Sequence, residues 1–137
     1  MRLWIVYSFA ALLVWGLWGV LSKLVSMHLP ARSAMLFEAM GYVIGTLVIA
    51  TLYLWVVEWN AKGALFGIFT GFCAAFGSFL FIQALSLGKA SIVVIVTSLY
   101  PLVTVVILFL LFREALTVRE GVGILLALSA LALLARA

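Results

Sequence analysis

Ser91–Leu126 reads SIVVIVTSLYPLVTVVILFLLFREALTVREGVGILL, and its pattern decides what kind of protein this is. From Ser91 to Phe112 the chain runs for 22 residues without a charge. At about 1.5 Å per residue that is enough helix to cross a hydrocarbon layer of roughly 30 Å. Arg113 and Glu114 then close the run at the expected water boundary. Thr117-Val-Arg-Glu120 has the spacing of a capping box, in which a hydroxyl and a carboxylate satisfy the first N–H groups of a new helix. That helix is expected to continue through Gly121 and Gly123 to Leu134 as the antiparallel neighbour of the first.

Pro101 falls in the middle of the first of these helices, where it removes one backbone hydrogen bond and frees the carbonyl of Thr97. In lipid that carbonyl needs a partner from a neighbouring helix, a hydroxyl or cavity water. Thr97, Tyr100 and Thr104, spaced by three and then four, bring hydroxyls to the same side as Pro101 and make these residues candidates to line a cavity. The alternative is a packing kink with the hydroxyls bonded back to their own helix.

Working outward, the whole chain has the same character. Of its 137 residues 69% are hydrophobic and 9% charged, against about 25% charged in soluble domains. It is expected to be an integral membrane protein, with the bilayer as its main surrounding. The formal charge of +4 is carried by Lys and Arg at helix ends, where such residues meet lipid headgroups, and does not point to nucleic acid. Cys73 is the only cysteine and lies in an apolar segment, which excludes an intrachain disulfide.

The first helix is expected over about Leu3 to Val25, with Trp4 and Tyr7 at one interface. The apolar run is too long for a signal peptide and no small-residue cleavage site follows, so it reads as a retained span. Gly16, Gly19 and Lys23 recur at helical spacing and suggest a groove for a neighbouring helix, with Lys23 snorkelling to headgroups. Trp15, Trp18 and Ser22 form the adjacent face, and the two tryptophans are candidates to stack on an organic cation or an aromatic substrate. Met27-His28-Leu-Pro30 reads as a polar break, with His28 in a loop and Pro30 starting the next helix.

The second helix is expected from about Ala31 to Val57, long enough to be tilted or to extend beyond the membrane. It carries the sharpest anomaly. Glu38 lies inside the expected hydrocarbon layer, roughly 9 Å from the helix midpoint, whereas Glu58, Glu114 and Glu120 lie at helix ends. An acidic side chain at that depth costs on the order of 3 kcal/mol unless it is paired, hydrated or protonated. Two functional uses fit, carriage of a coupling proton or contact with a cationic substrate; the plainer use is a Glu near the interface, hydrated or paired with Arg32. Gly41 and Gly45 form a GxxxG pair beyond it, and Trp55, Glu58 and Trp59 mark the far interface.

Asn60–Gly63 reads as a tight loop and Ala64–Leu87 as the third helix. Gly67, Gly71, Ala74 and Ser78 share one face at small-residue spacing, open to close helix approach. Phe72, Phe76, Phe79 and Gln83 share another, with Gln83 expected to find a polar partner between helices. Leu87-Gly88-Lys89-Ala90 turns the chain into the closing pair of helices.

Five spans place the termini on opposite sides of the membrane. Arg2, Lys62, Arg113 and Arg119 then fall on the N-terminal side, and Lys23, Arg32, Lys89 and Arg136 on the other. The eight cations thus divide evenly, and the positive-inside rule assigns no orientation. Dual insertion with pairing of inverted copies is one way to satisfy that balance. No H-E-x-x-H, phosphate-binding glycine loop, cysteine–histidine cluster or G-x-S-x-G elbow is present, so neither an enzyme nor a metal or cofactor site is expected.

The ordered set Gln83-Ala-Leu, Ala90-Ser91, Ser98-Leu-Tyr-Pro101, Glu114-Ala-Leu-Thr117 and Gly121, with Trp15-Gly16 and Lys23 earlier, resembles the EamA-type five-helix module of the drug/metabolite transporter superfamily. The resemblance covers essentially residues 1–137 as a single module. It implies an all-α polytopic membrane protein forming one half of an inverted-repeat transporter fold. Most members carry two modules, so it further implies a dimer, most simply an antiparallel homodimer. The implied function is export of small organic metabolites or drug-like compounds by alternating access, in the inner cell membrane. By the same resemblance the first, third and fourth helices line the path and the fifth serves packing. The alternative is an accessory or lipid-flipping subunit that needs a different partner chain.

Overall fold

The computed structural model describes residues 3–53, 56, 58–113 and 117–134, apart from the side chains of residues 120, 131 and 134. Helix accounts for nearly all of it: α1 (Leu3–His28), α2 (Ala31–Leu52), α3 (Ala61–Leu87), α4 (Ala90–Thr97), α5 (Tyr100–Phe112) and α6 (Val118–Leu134). Strands are absent among the described residues. Four stretches are long and apolar enough to cross a membrane: α1, α2, α3, and α4 with α5 taken together as Ala90–Phe112; α6 holds a shorter apolar run, Gly121–Ala130. These helices are apolar on every side, as a lipid solvent requires and water forbids. The protein is an all-α polytopic membrane protein.

Several helix ends differ from the sequence expectation. α1 continues through His28, which is therefore helical and not a loop residue; its ring Nδ1 lies 2.8 Å from the Leu24 carbonyl. The break comes at Pro30, whose extended backbone (φ −65°, ψ 149°) caps α2. α2 ends at Leu52 and not at Val57, so its 22 residues need no unusual tilt. Apolarity carries the sequence pattern past Tyr53, but the Tyr53 backbone (φ −99°, ψ 19°) leaves the helix there. α3 starts three residues early because Asn60 Oδ1 accepts the Gly63 N–H at 2.9 Å, an N-cap that turns the expected loop into a first helical turn.

The largest departure is at Pro101. The single helix expected over Ser91–Phe112 is two, broken at Ser98–Leu99, and Pro101 occupies the first turn of α5 instead of a helix interior. The break is shallow: Ser98 (φ −62°, ψ −6°) and Leu99 (φ −76°, ψ −12°) keep a near-helical backbone. At a helix start the missing proline N–H leaves no acceptor waiting. α5 ends on Arg113 in the left-handed region (φ 51°, ψ 36°), a conformation that glycine adopts more easily. Thr117 accepts the Gly121 N–H at 3.0 Å as α6 begins. The carboxylate of Glu120, and with it the capping box, lies outside the described residues, as do Arg2, Trp55, Glu114 and Arg136.

The chain divides into two units, Met1–Leu87 and Gly88–Ala137. In the first, α3 packs against both α1 and α2. Its core is Ala31, Ala34 and Ile82, flanked by Val25, Leu29 and Met35. Phe81, Leu85 and two serines, Ser22 and Ser78, are also buried. All of these belong to the end of α1, the turn that follows it, the start of α2 and the end of α3, so the unit is closed at one end only. Towards the other end almost every side chain of the three helices is exposed. Among the described residues a Cβ added at Gly16, Gly19, Gly41, Gly45, Gly67 or Gly71 would meet nothing within 4 Å; within the first unit no helix lies on these small-residue faces. In the second unit α6 packs against α4.

Candidate functional site

Three side chains from three helices meet just above the closed end of the first unit. Trp18 on α1 donates its indole Nε1–H to Glu38 Oε1 on α2 at 2.5 Å. Its ring stacks on Phe81 of α3, with centroids 5.0 Å apart and planes 19° from parallel. Buried Ser22, one turn on, donates its hydroxyl back to the Trp18 carbonyl at 2.9 Å. Tryptophan serves here because it joins a large apolar ring to one N–H donor.

Glu38 is the acidic member of this partly buried cluster. With α2 ending at Leu52, Glu38 lies about 5 Å from the helix midpoint by the usual rise. It sits deeper than the longer expected helix implied. Its Oε2 is buried and has no hydrogen-bond partner. Arg32 does not pair with it: Arg32 is exposed at the start of α2, and the structure gives Glu38 the Trp18 indole instead. Lys23 is half-buried and is likewise committed elsewhere, donating from Nζ to the Leu85 carbonyl in the last turn of α3 at 2.9 Å. A cation on the carbonyl end of a helix also meets the negative end of its dipole.

From Glu38 a shallow, open groove follows one face of α2 and is lined by Gly41, Tyr42, Gly45, Thr46 and Ile49, all on that helix. Thr46 turns its hydroxyl to the Tyr42 carbonyl at 2.8 Å, which leaves the groove mostly apolar.

Of the residues singled out from sequence, the structure therefore joins Trp18 and Glu38, and sets Gly41 and Gly45 beside them. Trp15 is exposed on α1 and takes no part. Gln83 is also exposed, and its amide makes no hydrogen bond among the described residues, contrary to the expected interhelical partner. In the second unit Thr97 donates to the Val93 and Val94 carbonyls at 2.9 and 3.1 Å, and Thr104 to the Tyr100 carbonyl at 3.2 Å. The hydroxyls near Pro101 are thus bonded back to their own helices; Tyr100 is exposed.

Phe81 escaped the sequence reading because it is one of ten phenylalanines and nothing in its spacing ties it to Trp18. Tyr42, Thr46 and Ile49 were reachable from spacing, at four, eight and eleven residues beyond Glu38 on one helix face.

A family model described as the EamA-like transporter family matches residues 2–136. The uncharacterized protein MJ1333.1 of Methanocaldococcus jannaschii is 29% identical over 120 residues, which cover 88% of this chain and 87% of that protein. No solved structure matches the chain.

Proposed function

This chain belongs to the EamA-like transporter family, and from that premise we propose that it exports small organic compounds by alternating access as an antiparallel dimer in the inner cell membrane, with Glu38 at the substrate or coupling site. Membership makes it a multi-pass membrane transporter of small compounds; direction, mechanism, assembly, membrane and site are our reading. The observation that carries the site is Glu38 itself. A carboxylate near the middle of a span, held on one oxygen by an indole and unpartnered on the other, is expensive in lipid unless it is used.

Two observations support the inverted pair. The eight cations divide evenly between the two sides expected for a five-span chain, so inside and outside orientations are equally favoured. The first unit is packed at one end and open at the other, and an inverted copy would bring its closed end to the level at which this copy is open. Inverted pairs with a binding site near the midplane are a general architecture of secondary transporters. The interrupted span at Ser98–Leu99 also suits it, since broken helices recur at their binding sites.

The test uses the full chain in vesicles loaded with a pH-sensitive dye and exposed in turn to small cationic, neutral and anionic organic compounds. Compound-driven proton movement in the wild type, lost in Glu38→Gln, is the expected result. Wild-type movement in Glu38→Gln would remove Glu38 from coupling. Movement that appears only after co-expression with another chain would favour an accessory subunit.

A further inference from the structure

We propose that the packed end of the first unit is a gate and that Lys23 is its latch, an inference that rests on the alternating-access reading above. The connections of the three helices show which of them is free to move. α1 and α2 are joined at the packed end by a turn of two residues, Leu29 and Pro30, whereas the α2–α3 connection lies at the opposite end. The last turns of α3 are therefore held to the α1–α2 hairpin by non-covalent contacts alone. Among the described residues of the unit, two side-chain hydrogen bonds join different helices. Trp18 to Glu38 joins α1 to α2, which the turn already links. Lys23 Nζ to the Leu85 carbonyl, at 2.9 Å, is the one that fastens α3.

That bond favours the closed arrangement for a reason that opening removes. α3 ends at Leu87, so the Leu85 carbonyl is one of the last four, which have no partner within the helix. Leu85 is 0% exposed, and in the closed arrangement only another protein group can satisfy it. Lys23 supplies the donor. Without Lys23 the carbonyl is stranded while the end is packed and hydrated once it opens, so loss of the lysine destabilises the closed arrangement alone. The core beside it is small, Ala31, Ala34 and Ile82 with half-buried neighbours, and apolar side chains gain little by leaving lipid for one another. One hydrogen bond from a charged donor is then large enough to set the balance.

Cysteine labelling of the full chain in lipid nanodiscs, where both membrane faces meet the reagent, tests the latch. Cys73→Ala removes the native thiol. In that background Ser22→Cys reports on a buried position at the packed end, and His28→Cys, exposed at the same end, corrects for reagent access. Lys23→Met should raise the rate at which a membrane-impermeant maleimide modifies the Ser22→Cys thiol, relative to His28→Cys, by about ten- to a hundredfold, the range of a hydrogen bond from a charged group. Lys23→Arg keeps a charged donor and should stay near the wild type, and Lys23→Gln should fall between, so the order can be read even where Lys23→Met does not fold. The faster labelling should change little with urea, because helices that part expose little new surface and unfolding exposes much. Equal rates with Lys, Arg, Gln and Met at this position would overturn the latch, as would an acceleration that climbs steeply with urea. Compound-driven proton movement in the vesicle assay together with equal labelling rates would sink the latch and spare the transporter reading; absence of any such movement in the wild type would sink that reading and the gate with it.

Discussion

Glu38 and Trp18 depend on each other, because each would otherwise be a buried polar group in an apolar layer. Trp18→Phe keeps a ring for Phe81 to stack on but removes the indole donor, leaving Glu38 Oε1 unmatched as Oε2 already is. Loss of about 1–3 kcal/mol of stability is expected, measurable as a lower denaturation midpoint in detergent. Trp18→Phe and Glu38→Gln combined should cost less than the sum of the two, because they break one shared bond; strict additivity would mean that the contact contributes nothing. Arg113 provides a test of opposite sign. Its left-handed backbone (φ 51°) is strained for a residue with a Cβ, so Arg113→Gly should stabilise the protein by up to about 1 kcal/mol. A clear loss would show that the guanidinium makes a contact outweighing the strain.

At the level of elements, the helix starts decide where side chains fall. Asn60→Ala removes the cap that opens α3 and should cost about 1 kcal/mol, with Asn60→Ser recovering most of it. Pro101→Ala distinguishes a helix interior from a helix start. An interior proline costs about 3 kcal/mol, so its removal there would stabilise strongly; at the first turn of α5 the change should be under about 1 kcal/mol. Melting curves of the variant beside the wild type separate these cases. The packed end of the first unit sets the other contrast. Ile82 is 2% exposed and Ile68 71%; alanine at Ile82 should cost about 2–5 kcal/mol, and alanine at Ile68 far less.

For the whole molecule the decisive quantity is orientation. Reporters placed after Ala137, one active on each side of the membrane, should both give signal in cells expressing this chain alone if the balance of its eight cations governs insertion. Signal from one side only would exclude the inverted homodimer and direct attention to a different partner. Two lysines added beyond Ala137 should bias insertion to one orientation and, on the inverted-dimer reading, abolish transport without unfolding the monomer.

Run length and composition were enough to establish from sequence that the chain is all-helical and crosses the membrane, because a lipid solvent forces every backbone group into a helix and leaves apolar residues on all faces. Glu38 was legible for the same reason, as a charge where hydrocarbon tolerates none. Helix ends were less so: Asn60 and Pro101 act through backbone hydrogen bonds, which apolar pattern does not report. The partners of Glu38 were decided by tertiary structure alone. When nearly every residue on every helix is apolar, periodicity cannot say which face turns inward or which of many aromatic rings it meets. Only the packing of α1 and α2 against α3 brought Trp18 onto Phe81 and Glu38, and Lys23 to the Leu85 carbonyl.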